Sequence, residues 1–80
     1  LDFWASWCGP CAAVSPIVEE IAEENASTLK VGKVNVDEAP ELAQRYQISA
    51  IPTLLLFRDG EPVDVSVGVK SKAELEAFLK

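Results

Sequence analysis

Hydrophobic and polar residues recur along this chain with two different periods, one typical of helices and one typical of strands. The longest helical pattern begins at Cys8, and its apolar members recur three and four residues apart. They are Val14, Ile17, Val18 and Ile21. The acidic residues Glu19, Glu20, Glu23 and Glu24 occupy the other positions. The pattern predicts an amphipathic helix that buries one face and exposes an acidic, solvated face.

Four short segments have the pattern of β-strands: residues 1–5, 29–36, 53–57 and 62–67. The third is apolar without alternation, as expected for a central strand covered on both faces. Asp59 and Gly60 predict a tight hairpin before the fourth strand, and Pro62 places that strand at the sheet edge. The helix between the first two strands predicts a right-handed crossover and parallel pairing.

Two shorter helices complete the pattern. One begins at Pro40, a residue that suits the first helical position, and runs to about Tyr46. The other follows Ser71, which forms a capping-box motif with Glu74. Its apolar stripe consists of Leu75, Phe78 and Leu79. The predicted order is βαβαββα, an α/β fold with a four-stranded mixed sheet flanked by helices, in one domain of residues 1–80.

Composition narrows the classes of partner. The chain has 80 residues and a formal net charge of −6, which disfavours nucleic acid and anionic membranes because both would repel it. The longest apolar run, residues 54–57, is too short to span a bilayer, and no signal-peptide pattern is present. We therefore expect partners that are proteins.

Both cysteines, Cys8 and Cys11, lie at the start of the long helix. A thiol in a first helical turn meets unpaired N–H groups and the positive end of the helix dipole, and both favour the thiolate. Cys8 is therefore the predicted attacking sulfur. Cys11 lies one turn further along and is close enough to form a disulfide with Cys8. It is therefore predicted to resolve the mixed disulfide between Cys8 and a partner. Pro10 supplies a preset backbone angle for this turn.

The lack of histidine limits the alternatives. A catalytic triad with a histidine base is excluded, and one chain cannot supply four Cys and His ligands to zinc. Redox chemistry without a metal is therefore the leading interpretation. Two others stay open: a zinc or iron–sulfur site shared by two chains, and a structural disulfide, although so short a loop constrains the unfolded chain very little.

Three motifs carry a resemblance to a known family. The run DFWASWCGPC from Asp2 to Cys11, the run IPTLLLF from Ile51 and the later Asp59-Gly60 pair resemble the thioredoxin family. The resemblance extends through nearly the whole chain. It implies a thioredoxin-like fold and a thiol–disulfide oxidoreductase that reduces protein disulfides through Cys8 and Cys11, with no bound cofactor.

The resemblance also implies site residues. Asp2 would be buried beneath Cys11 and accept its proton, and Lys33, next to Asp2, would modulate its pKa. From the residues alone, an exposed Asp2 and a Lys33 that reaches solvent stay open. The Ile51–Pro52 bond would be cis, and the backbone of Ile51 would pair with an extended segment of the partner protein. The implied partner-binding residues are Trp7, Gly9, Pro10, Ile51, Pro52, Val67 and Gly68.

A Gly-Pro spacer without histidine resembles the reducing members of the family. The implied partners are disulfide-containing substrate proteins and, as electron donor, a flavoprotein of the thioredoxin-reductase type. The implied location of the protein is the cytoplasm. A disulfide oxidase or isomerase would share these residues. A non-catalytic interaction module is the other alternative.

The chain departs from the family in two places. Family members carry a further strand and helix before the first strand seen here, so we expect either a piece of a longer chain or a minimal version of the fold. The sheet edge at residues 29–36 would then be uncovered. Only Lys30 and Lys33 would place charges there to oppose pairing with another chain, so we expect self-association through this edge. Ala12 stands where many relatives have a cation. Without that positive charge, the Cys8 thiolate would be stabilised less than in those relatives.

Overall fold

Residues 1–79 are described by a computed structural model, and they form a mixed sheet with helices on both faces. The elements are β1 (Asp2–Trp4), α1 (Gly9–Glu24), β2 (Lys33–Asn35), α2 (Pro40–Arg45), β3 (Thr53–Arg58), β4 (Glu61–Val67) and α3 (Lys72–Phe78). This order confirms the predicted βαβαββα fold.

The four strands of the sheet lie in the order β2-β1-β3-β4. β1 and β2 are parallel, whereas β3 is antiparallel to both β1 and β4. The parallel pair, the hairpin and the edge position of β4 are therefore confirmed. At the hairpin, Asp59 and Gly60 both have positive φ, 54° and 81°, which suits the right-handed twist of the two strands.

The predicted second strand, residues 29–36, is wrong in length, because β2 comprises only Lys33–Asn35. A strand needs a hydrogen-bonded neighbour, and β1 supplies three register partners. The pairing ends where the Asp2 amide donates to the Gly32 carbonyl and the Val36 amide donates to the Trp4 carbonyl, at 2.8 and 2.9 Å. The apolar pattern of residues 29–31 therefore does not give a strand.

The main core lies between α1, α3 and one face of the sheet. Its buried members are Val14, Val18, Ile21 and Leu75, with Ile17, Leu29, Leu54 and Leu79 packed against them. The helical pattern of α1 is thus confirmed. On the opposite face of the sheet, Phe3 is fully buried and meets the edge of the Tyr46 ring, which in turn contacts Phe57. Because Tyr46 caps the C-terminal end of α2, this end of the helix lies on the same face of the sheet.

The acidic face of α1 is exposed, as predicted, and it also joins α1 to other elements. The Lys72 ammonium lies 2.8 Å from Glu20 and 2.9 Å from Glu24, which links α3 to α1. Within residues 1–79, no helix has the length and apolar character needed to cross a bilayer.

Candidate active site

The cysteine pair occupies the start of α1. Cys8 is the N-cap residue, and its sulfur accepts a hydrogen bond from the Cys11 amide at 3.2 Å. Cys8 and Cys11 are joined by a disulfide, with their Cα atoms 5.3 Å apart. Both cysteines are buried as whole residues. In the reduced state the same amide would favour a Cys8 thiolate.

A second segment reaches the cysteines from the loop before β3. The Ile51–Pro52 peptide bond is cis, as the resemblance implied. The Ile51 carbonyl oxygen lies 3.9 Å from the Cys8 sulfur. Gly68, at the end of β4, donates its amide to the Pro52 carbonyl at 2.9 Å. Folding therefore brings Ile51 beside the disulfide and Gly68 next to Pro52.

The surface around the disulfide is partly apolar. Trp7 is 69% exposed, so it lies on the surface, whereas Trp4 is half-buried against the cysteines. Gly9, Pro10 and Val67 are also exposed. All of the implied partner-binding residues therefore lie near the cysteines, near Pro52, or on the strand end that Pro52 contacts.

Asp37 contacts this surface and was missed from the sequence. The Trp7 indole N–H donates to its carboxylate at 2.7 Å. The sequence nevertheless contained an indication of this contact, because Trp7 follows the predicted first strand and Asp37 follows the second. Parallel neighbouring strands end at the same edge of a sheet, which places the loops after them close together.

Asp2 is buried in β1, with an exposed fraction of 3%. Its Oδ1 atom has no hydrogen-bond partner among residues 1–79. Burial raises the pKa of Asp2, and the charges of Lys33 and the Leu1 amino group counteract this only in part. Burial is therefore the larger effect on the pKa of Asp2.

Lys33 is the register partner of Asp2 across β1 and β2. Its ammonium, however, donates to the Ser15 hydroxyl at 2.8 Å and to the Glu19 carboxylate at 2.7 Å. Lys33 thus combines both expected features, since it neighbours Asp2 and its ammonium lies at the surface. Ser15 and Glu19 were not predicted as site residues, although their helical spacing from Cys11 could have indicated them.

The fold and the site together define a class: an α/β domain that carries a Cys-Gly-Pro-Cys disulfide at the N-terminus of its first helix, next to a cis-proline. The Thioredoxin family model matches residues 1–80. The chain belongs to the thioredoxin family.

Individual relatives agree with this assignment. The chain is 56% identical over 75 residues to a thioredoxin of Mycobacterium tuberculosis (strain ATCC 25618 / H37Rv), an alignment that covers 94% of the chain and 65% of the relative. It is 52% identical over 79 residues to a thioredoxin of Porphyra purpurea, which covers 99% of the chain and 74% of the relative. A bifunctional thioredoxin reductase/thioredoxin of Mycobacterium leprae is 52% identical over 75 residues, 94% of the chain and 16% of the relative. The chain thus spans just under two thirds of the mycobacterial thioredoxin.

Proposed function

We propose that this chain is a thiol–disulfide oxidoreductase that reduces disulfides of partner proteins. The observation that supports this most directly is the Cys8–Cys11 disulfide at the start of α1, where the Cys8 sulfur accepts a hydrogen bond from the Cys11 amide. The geometry suits a Cys8 thiolate as the attacking group, because the helix start favours negative charge.

The reaction has two exchange steps. The Cys8 thiolate attacks one sulfur of the partner disulfide, forms a mixed disulfide and releases the other partner sulfur as a thiolate. Cys11, once deprotonated, attacks the Cys8 sulfur and releases the second partner thiolate. The partner has then gained two electrons, and the chain has reached the Cys8–Cys11 disulfide.

Asp2 is the proposed acceptor of the Cys11 proton. A carboxylate is a weak base at neutral pH unless its pKa is raised, and burial raises the pKa of Asp2. Its unpartnered Oδ1 atom leaves one oxygen free of competing hydrogen bonds within residues 1–79. Lys33 modulates this group through its opposing charge.

The proposed partner-binding surface consists of Trp7, Gly9, Pro10, Ile51, Pro52, Val67 and Gly68. Exposed apolar area at Trp7 and Val67 supports it, as does the position of Ile51 beside the Cys8 sulfur. An extended partner segment would pair with the Ile51 backbone. Because such pairing contacts main-chain atoms, it accommodates many sequences.

The proposed electron donor is a flavoprotein of the thioredoxin-reductase type. The name of the Mycobacterium leprae relative, which unites a thioredoxin reductase with a thioredoxin, supports this pairing. We further propose that the chain works in the cytoplasm without a bound cofactor, and the net charge of −6 supports protein partners over nucleic acid or membranes.

The proposal is tested by the rate at which the chain, supplied with dithiothreitol, reduces the interchain disulfides of insulin. We expect a rate well above that of dithiothreitol alone, and we expect Cys8→Ser to return it to that background because no attacking thiolate remains. Ser27→Ala, an exposed serine beyond α1, is the matched control and should retain the full rate. Equal rates for the chain and for Cys8→Ser would refute the proposal.

A further inference from the structure

The cleft between α1 and β2 contains a polar cluster, and the proposed function gives a role to only one of its three members, Lys33. It consists of Ser15, Glu19 and Lys33, and we refer to it as the Lys33 cluster. The Lys33 ammonium donates to Ser15 Oγ at 2.8 Å and to Glu19 Oε1 at 2.7 Å. Cys11 lines the same cleft. The cluster therefore lies next to the resolving cysteine.

Helical spacing explains how the cluster reaches the site. Cys11, Ser15 and Glu19 are each four residues apart on α1, so they form one line along the helix. β2 lies opposite this line and presents Lys33. A single ammonium thus meets two polar groups that α1 holds at a fixed separation from Cys11.

Lys33 has two carboxylate neighbours. Asp2 is its register partner on the adjacent strand, and Glu19 lies across the cleft on α1. The ammonium bonds to Glu19, while Asp2 Oδ1 has no hydrogen-bond partner within residues 1–79. Two carboxylates of different burial therefore compete for one cation.

We propose that Ser15 and Glu19 are positioning residues that hold the Lys33 ammonium away from Asp2 and so keep Asp2 available to accept the Cys11 proton. This inference rests on the base role proposed for Asp2. A cation in contact with a carboxylate favours its ionised form and makes it a poorer proton acceptor. The ion pair with Glu19 prevents Lys33 from having this effect at full strength.

The other surroundings of Asp2 leave few competing charges. The residue before its strand contributes the Leu1 amino group, which donates to the Leu55 carbonyl at 2.8 Å. β3 places apolar Leu54 in register with Asp2, and Leu75 of α3 is also apolar. Among the charged groups that act on Asp2, Lys33 is the one that a neighbouring side chain holds in place.

The test follows the Asp2 carboxyl carbon by NMR as a function of pH in the full oxidised chain. In Glu19→Ala, the titration midpoint of Asp2 should move to lower pH, because Lys33 is released toward it. Ser15→Ala should move it in the same direction by less. Glu23→Ala removes the same charge one turn further along the exposed face and is the matched control. A midpoint that moves no more in Glu19→Ala than in Glu23→Ala would overturn the proposal.

A double-variant cycle separates positioning from simple loss of a negative charge. Lys33→Met alone should move the Asp2 midpoint to higher pH. Adding Glu19→Ala to Lys33→Met should then produce a much smaller downward shift than Glu19→Ala produces alone. An equal shift with and without Lys33 would show that Glu19 acts through its own charge, and the proposal would be wrong.

The NMR titration does not depend on whether the chain reduces anything, so it fails or succeeds separately from the proposed function. A kinetic readout then tests the link to chemistry. In Glu19→Ala, the mixed disulfide between Cys8 and a model disulfide should resolve more slowly near neutral pH, with the first exchange step unchanged. A shifted Asp2 midpoint with an unchanged resolving rate would overturn the base role of Asp2.

Discussion

At the scale of single residues, Asp2 shows most clearly how surroundings decide chemistry. Its carboxyl group is buried, one of its oxygens has no hydrogen-bond partner within residues 1–79, and its pKa is raised by burial. An incompletely satisfied buried polar group costs roughly 1–3 kcal/mol. In the base role proposed for Asp2, this cost in stability accompanies a carboxylate that binds a proton more tightly than an exposed one would.

Asp2→Asn should therefore stabilise the oxidised chain by about 1–3 kcal/mol at pH values above the raised folded-state pKa, because the neutral amide avoids burying a charge. The folded state binds the Asp2 proton more tightly than the unfolded state, whose pKa is near 3.8. Stability of the unchanged chain thus falls as pH rises from 3.8 through the raised folded-state pKa.

Urea unfolding at several pH values measures this difference. The advantage of Asp2→Asn should vanish below the unfolded-state pKa, where both states are protonated. Asp64→Asn, which changes an exposed aspartate of β4, is the matched control and should change stability little at any pH. A constant difference between Asp2→Asn and the unchanged chain across the pH range would contradict the assignment.

At the scale of elements, α3 illustrates how a short helix is stabilised at its start. Ser71 Oγ accepts from the Glu74 amide and Glu74 Oε1 accepts from the Ser71 amide, both at 3.1 Å. These bonds to Ser71 lower the pKa of Glu74. The helix delivers Leu75 into the core shared with α1. The capping box therefore supports the packing that holds α1, and with it the cysteines, against the sheet.

Ser71→Ala should destabilise the chain by about 1 kcal/mol, because it removes the side-chain acceptor for an otherwise unpaired helix N–H. Urea unfolding at pH 7 measures the change. Ser27→Ala provides the comparison, since Ser27 is exposed and lies outside the helices. If both variants lose the same stability, the capping box is not the cause.

At the scale of the whole molecule, the sheet has two unlike edges. β4 forms one edge, and the three-residue strand β2 forms the other. β2 leaves backbone groups on its outer side that can pair with another chain, and exposed Val31 lies just before it. We propose that copies of this chain associate through the β2 edge.

Sedimentation equilibrium over a range of concentrations tests this association. Val31→Lys should weaken it about tenfold, or about 1.4 kcal/mol, because a charge two residues before the edge strand β2 opposes the approach of a second strand. Val63→Lys places the same charge on β4 at the other edge and should leave the association unchanged. A strict monomer at all concentrations would refute self-association.

The sequence by itself determined the element order, the buried face of α1, the capping box and the hairpin. Each of these depends on residues close together in the chain, such as the Asp59-Gly60 pair or the spacing of Cys8 and Cys11, so a local pattern carries the information. The prediction of a cis bond before Pro52 came from the family resemblance, because local preference by itself favours a trans bond.

Only the tertiary structure decided the length of β2 and the partners of Lys33, and it decided between the exposed Asp2 that the residues left open and the buried Asp2 that the resemblance implied. A strand ends where its neighbour ends, and the pKa of a carboxyl group depends on how much of it the rest of the chain covers. The contacts Lys33–Glu19 and Trp7–Asp37 join residues 14 and 30 positions apart. No local pattern specifies such contacts, because they form only when the crossover from β1 through α1 brings β2 alongside.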